Sequence, residues 1–111
     1  MRQTLTTDAR VLRFREMSLQ FEWDPKKANA NLAKHGVSFE EAIAVFGDPL
    51  ARIFDDDEHS AGERREIIIG HSVQQDLIVV SFTAVHDRVR LLSARSVTRK
   101  ERNDYEEKIS S

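Results

Sequence analysis

The sequence DRVRLLSARSVTRKERNDYEE occupies residues 87–107 and predicts a β-strand that runs directly into an α-helix. In its first half, valine and leucine alternate with arginine, which is typical of a half-buried strand. Thr98 and Glu101 then have the spacing of a capping box, which predicts a helix from residue 98 to about residue 109. The helix therefore follows the last strand of the domain and does not connect two strands.

The rest of the chain supplies two more helices and four more strands. Asp24-Pro25 predicts a helix start and Gly36 predicts its end. The predicted elements are a strand at 19–23, helices at 25–35 and from Ser38 to about residue 46, and strands at 50–54, 65–70, 77–83 and 89–94. Short connections between the later strands favour antiparallel hairpins. We therefore predict an α+β fold: an antiparallel sheet of about four to five strands, with two N-terminal helices and one C-terminal helix.

Length and composition indicate one small domain. The chain has 111 residues, of which 40% are hydrophobic and 32% charged, as in soluble globular proteins. We interpret residues 1–16 as an N-terminal extension of uncertain order and residues 17–111 as the single domain. The absence of cysteine excludes a disulfide, a thiolate zinc site and a cysteine nucleophile. No apolar run suits a membrane span or a signal peptide, so we expect a cytoplasmic protein with no membrane contact.

Positive charge is concentrated in one segment. The whole chain has a formal net charge of −2, yet residues 87–102 contain five arginines and one lysine against two acidic residues. A local positive field of this kind favours phosphate ligands such as RNA. The alternative is that a charged helix only keeps the protein soluble. The residues expected to contact RNA along this segment are Arg88, Arg99, Lys100 and Arg102.

Three arginines are candidates to hold a reacting phosphate: Arg64, Arg90 and Arg95. A guanidinium on a strand can be aimed at phosphate oxygens because its backbone is fixed. By alternation, Arg88 and Arg90 share one face of the strand, whereas Arg95 lies on the other face unless the strand bulges. Arg64 has a plainer alternative, an exposed ion pair with Glu63 or Glu66.

Proton transfer has two candidates. His35, with Lys34 as electrostatic support, ends the first predicted helix and could act as an acid or base. The alternative is that both residues only cap the helix. Tyr105 is a weaker candidate proton donor, because it shares a helical face with Val97 and Ile109 and could simply pack in the core.

No metal or cofactor is expected. The four histidines lack the paired spacing of helical zinc sites. The acidic run at residues 55–59 could hold a hard cation, although it lacks the glycine and spacing of an EF-hand loop. A solvated loop or a contact surface for a basic partner are the alternatives.

Three segments resemble one known family: FEWDPKKANANLAKHGVSFEEAIAVFGDP (21–49), GERREIIIGHS (62–72) and VRLLSARSVTRKERNDYEE (89–107). In this order they resemble the BrnT family of type II toxins, whose fold is similar to that of RelE-type ribonucleases. The resemblance spans residues 19–107 and covers Lys34-His35, Glu63-Arg64 and Ser93-Ala94-Arg95. Residues 83–87 depart from the family pattern, which puts a catalytic role of that loop in doubt.

The resemblance implies an endoribonuclease toxin that cleaves RNA without a metal and so inhibits translation and growth. It also implies neutralisation by a BrnA-type antitoxin with a ribbon-helix-helix domain, in a complex that binds operator DNA. The expected reaction is attack of the 2′-hydroxyl on the adjacent phosphorus. A non-catalytic RNA-binding or antitoxin-binding module is the alternative, and a purely structural interaction domain is a third possibility.

Overall fold

The computed structural model describes residues 7–15, 17–59 and 62–110. Its helices are α1 (Ala9–Arg15), α2 (Pro25–His35), α3 (Phe39–Ile43) and α4 (Arg99–Ser110). Its strands are β1 (Gln20–Glu22), β2 (Arg52–Asp55), β3 (Glu66–His71), β4 (Leu77–Val85) and β5 (Arg88–Ser96). Short 3-10 turns lie at Ala44–Gly47 and Asp57–His59. The predicted α+β class is confirmed.

The five strands form one sheet in the order β1-β5-β4-β3-β2. Three of the strand pairs are antiparallel, as predicted from the short hairpins. The β1–β5 pair is parallel, so the prediction of a wholly antiparallel sheet was wrong at this edge. Short connections predict the pairing only of strands that are adjacent in the chain, and β1 is separated from β5 by most of the chain.

Local capping defines α2 as the sequence predicts. The Asp24 carboxylate accepts a hydrogen bond of 2.9 Å from the Lys26 amide. Gly36 ends the helix in the left-handed region at φ 70°, and its amide donates to the Leu32 carbonyl, a conformation that glycine adopts without strain. Both ends of the helix are therefore encoded within a few residues.

Helix α1 was not predicted from the sequence. Val11 and Phe14 lie in the core with 0% and 3% of their surfaces exposed. The ring centroid of Phe14 lies 5.8 Å from that of Phe46 and 5.9 Å from that of Phe82, both edge to face. Only two of its seven residues lie in the core, which gives a weak sequence pattern, and so short a helix is held by tertiary contacts.

The sheet has a fully covered face and a partly covered one. Helices α1 to α3 pack against the first face, on a core that contains Phe39, Phe46, Ile68, Val80, Phe82 and Leu91. On the other face Tyr105 of α4 packs with Ile69, Leu77 and Val79. Beyond α4, this second face carries Ile67, Ser81, Ser93 and Arg95; we call this region the open face. None of the helices in the described residues is long and apolar enough to cross a membrane.

Candidate active site

A β-bulge brings Arg95 onto the open face. Ser81 of β4 pairs with Ser93 of β5, but the next residue, Phe82, pairs with Leu91. One extra residue therefore lies in β5, and an extra residue reverses the alternation of side chains. Arg95 consequently shares its face with Arg88 and Arg90, which resolves the question that the sequence left open.

A cleft of about 480 Å³ lies on the open face. Side chains from α2, the β2–β3 connection, the three central strands and α4 surround it. They are Lys27, Asp56, Glu58, His59, Arg65, Ile67, Ser81, Leu92, Ser93, Arg95 and Glu101. Of the site residues predicted from the sequence, Arg95 is the one that lines this cleft.

Arg95 is held in place by a bidentate ion pair with Glu101 of α4. Its Nη1 and Nη2 atoms donate to the two Glu101 carboxylate oxygens at 2.8 and 2.7 Å. Glu101 also accepts the Thr98 amide at 2.9 Å and donates its own amide to Thr98 Oγ1 at 3.1 Å, which completes the predicted capping box. Mainly because of Arg95, the pKa of Glu101 falls to about 2. Arg95 thus supports the start of α4 as well as facing the cleft.

The ion pair makes stability depend on pH in a defined window. Glu101 has a lowered pKa in the folded state. Its contribution to the free energy of unfolding is therefore present above about pH 4.5 and is lost as the pH falls toward about 2. We expect Glu101→Gln to cost roughly 1–2 kcal/mol at pH 7, after allowance for solvent screening. Urea unfolding of both proteins should show this difference shrinking as the pH approaches 2. The exposed Glu106→Gln is the control, and a Glu101 difference that stays constant from pH 7 to 2.5 would contradict the assignment.

The cleft contains a histidine that the sequence analysis did not select. His59 Nδ1 lies 3.0 and 3.1 Å from the two carboxylate oxygens of Asp56. The spacing of three residues on a 3-10 turn brings the two side chains together. Among the described residues, no group of three or more histidine, aspartate and glutamate side chains could hold a metal ion.

Lys27 and Arg65 also line the cleft and were missed. Arg65 precedes β3, and strand alternation places it on the same face as Ile67. Lys27 reaches the cleft because Asn31 fixes α2 against β5. The Asn31 side-chain amide donates to the Ala94 carbonyl at 2.8 Å, and its oxygen accepts the Ala94 amide at 3.1 Å. Asn31 thereby takes the place of a neighbouring strand at the edge of β5.

Arg64 lies on the opposite side of the sheet from Arg95. Its Nη2 atom is 2.7 Å from Asp55 Oδ1, and Asp55 also pairs with Arg10 of α1 at 2.8 Å. Arg64 thus forms an exposed ion pair, as the plainer alternative held, but its partner is Asp55, whereas the sequence suggested Glu63 or Glu66. Arg64 and Arg95 therefore do not meet at one site.

The remaining basic candidates flank the cleft and do not line it. Arg88 and Arg90 approach Glu22 of β1 at 3.7 and 3.2 Å. Exposed cations in the first turn of α4 include Lys100, which pairs with Asp104 at 3.3 Å, and also Arg99 and Arg102. Positive charge at a helix N-terminus opposes the helix dipole, so these cations do not favour the helix by themselves.

Two predicted proton-transfer sites lie away from the cleft. Lys34 and His35 end α2, roughly 12 Å along the helix from Lys27 at 1.5 Å per residue. Tyr105 is 2% exposed, and its hydroxyl donates to the Leu50 carbonyl at 3.0 Å. Burial, with Asp48 nearby, raises the pKa of Tyr105 to about 12. This is the core packing that the sequence analysis gave as the alternative for Tyr105.

Comparison with known proteins identifies a family and a similar solved structure. The family model described as "Ribonuclease toxin, BrnT, of type II toxin-antitoxin system" matches residues 23–101. The crystal structure of the Brucella abortus ribonuclease toxin BrnT is similar, with a TM-score of 0.52 and 25% sequence identity. This match covers 74% of the present chain and all of the Brucella chain. No curated protein sequence matches.

Proposed function

The chain belongs to the BrnT family of ribonuclease toxins from type II toxin–antitoxin systems, and on this premise we propose that it is an endoribonuclease acting in the cleft on the open face. The observation that supports this function best is the convergence of Lys27, Arg65 and Arg95 around one cleft of about 480 Å³. Cations from three separate segments around a concave surface suit a phosphate group. Expression of the protein without its antitoxin, with growth and RNA integrity followed over time, tests the function.

In the proposed reaction the 2′-hydroxyl attacks the adjacent phosphorus in line. The products are a 2′,3′-cyclic phosphate and a 5′-hydroxyl end. Lys27, Arg65 and Arg95 hold the phosphate oxygens and stabilise the charge that grows in the transition state, an effect worth about 3 kcal/mol per donor in comparable sites. Glu101 and the Ser96 carbonyl take three of the five Arg95 donors, so the guanidinium keeps donors for a phosphate.

The exposed arginines and lysine around the cleft extend the contact to neighbouring phosphates of the RNA. These residues are Arg88, Arg90, Arg99, Lys100 and Arg102. In this arrangement the RNA strand crosses the open face of the sheet, from the edge strand β1 to the start of α4. The unfavourable placement of three cations at a helix N-terminus is explained if they bind an anion.

The reaction should proceed without a divalent ion, because the protein's own cations supply the positive charge at the phosphate. Cleavage of a purified RNA is expected to continue at an unchanged rate in EDTA. Loss of cleavage in EDTA, with recovery on addition of a divalent ion, would contradict this. RNA binding that weakens steeply with salt, but without cleavage, would favour the alternative function of a non-catalytic RNA-binding module.

We further propose that a BrnA-type ribbon-helix-helix antitoxin neutralises the toxin in the cytoplasm by covering the basic surface from Arg88 to Arg102, in a complex that binds operator DNA. Masking this surface is the most direct way to block RNA. Association should be steered by charge, so we expect added salt to lower the association rate more than it raises the dissociation rate. Stopped-flow titration at low and high salt measures both, and a salt-independent association rate would place the interface elsewhere.

A further inference from the structure

We infer that His59 is the general base of the proposed RNA cleavage and that Asp56 is its positioning residue. This inference rests on the proposed ribonuclease function and assigns its proton transfer. His59 lines the same cleft as Arg95, whereas His35 and Tyr105 do not. It is therefore the histidine that a phosphate held by Lys27, Arg65 and Arg95 would meet.

Asp56 is fixed to the sheet and is suited to orient the ring. Its backbone amide donates to the Arg65 carbonyl at 3.0 Å, and the His59 amide donates to the Asp56 carbonyl at 3.3 Å. The Asp56 side chain is 13% exposed, against 61% for His59. The carboxylate thus stands between the sheet and the ring, and the ring extends toward solvent and substrate.

The pairing also selects the tautomer of the neutral ring. An ionised carboxylate can only accept hydrogen bonds, so Nδ1 of His59 must carry the hydrogen that it shares with Asp56. Nε2 then carries the lone pair and can take a proton. This is the arrangement in which a carboxylate orients a histidine base.

Nε2 of His59 takes the proton of the 2′-hydroxyl while the O2′–P bond forms. The P–O5′ bond breaks, and the departing 5′ oxygen takes a proton from water. The resulting imidazolium is stabilised by Asp56, and it returns its proton to solvent when the products leave.

The charged groups that line the cleft with His59 come from α2, the β2–β3 connection, β5 and α4. They are Asp56 and Glu58 beside it in the chain, Arg65 before β3, Lys27 of α2, Arg95 of β5 and Glu101 of α4. Three acidic and three basic residues therefore share the cleft with the ring. A base at this position must be neutral to act, so cleavage should rise with pH as the ring loses its proton.

The test compares His59→Asn with His86→Asn. His86 is an exposed histidine in the β4–β5 turn, outside the cleft, at φ 57°, a conformation that asparagine tolerates. Single-turnover cleavage and RNA affinity are measured from pH 5 to 9. We expect His59→Asn to cleave at least 100-fold more slowly, to lose the rise with pH and to keep its RNA affinity. Asp56→Asn should also slow cleavage and keep affinity, and His86→Asn should match the wild type.

A second substrate distinguishes a general base from a general acid as the role of His59. An RNA with a bridging 5′ sulfur has a leaving group that needs no proton, so it would restore the rate of a variant that lacks its acid. For His59→Asn we expect no restoration, and restoration would overturn the base assignment. Cleavage by His59→Asn at the wild-type rate would overturn the inference while leaving the ribonuclease proposal intact. Absence of cleavage by the wild-type protein would overturn both the role of His59 and the ribonuclease proposal.

Discussion

Replacement of Arg95 by alanine is expected to lower RNA cleavage at least about 100-fold and to abolish growth arrest. In the proposed function the guanidinium is the phosphate ligand supplied by the central sheet, and removal of one such donor typically costs about 3 kcal/mol of transition-state stabilisation. Arg95→Lys should restore little, because the point charge of an ammonium cannot reproduce the bidentate contact of a guanidinium with phosphate oxygens. Cleavage rates of the purified variants measure the effect.

The control for Arg95 is Glu101→Gln. Both substitutions break the same ion pair of 2.7–2.8 Å, which supports the start of α4. Only Arg95→Ala removes the proposed phosphate ligand. We therefore expect both variants to lose similar stability, while Glu101→Gln still cleaves. Arg64→Ala should cleave too, because Arg64 lies on the other side of the sheet. Growth arrest at the wild-type level by folded Arg95→Ala protein would remove Arg95 from the site.

Replacement of Phe14 by alanine is expected to lower the free energy of unfolding by about 3–5 kcal/mol, the usual effect of truncating a buried aromatic ring. The ring is 3% exposed and packs edge to face against Phe46 and Phe82. Leu12→Ala on the same helix is the control, because Leu12 is 44% exposed and should change stability by less than about 0.5 kcal/mol. Urea unfolding gives both values. Equal, small effects would show that α1 does not pack in the core.

The elements predicted correctly are those whose signals are local. The cap at Asp24, the left-handed residue Gly36 and the capping box at Thr98 and Glu101 each lie within a few residues of the helix end that they define. The missed features depend on contacts distant in the chain. The parallel pairing of β1 with β5 and the docking of α1 through Phe14 have no local signal that distinguishes them from alternatives.

The candidate site was predicted only in part, for a related reason. Arg95 could be identified as a candidate, but the face of the sheet on which it lies depends on the bulge at residues 91–93, and that bulge arises only from the pairing of β5 with β4. Arg64 and Arg65 are adjacent, and alternation along the strand decides which of them faces the cleft. The Asp56–His59 spacing was visible in the acidic run, yet a loop residue gains significance only when the fold places it opposite Arg95.

The most direct test of the account is analysis of the RNA ends that the protein produces. RNA is incubated with the wild-type protein and with Arg95→Ala, both as free RNA and in a translation reaction that contains ribosomes, and the new ends are identified by mass spectrometry. We predict 2′,3′-cyclic phosphate and 5′-hydroxyl ends that appear with the wild-type protein and are nearly absent with Arg95→Ala. New ends that carry 5′-phosphates, or equal cleavage by both proteins, would contradict metal-independent cleavage in this cleft.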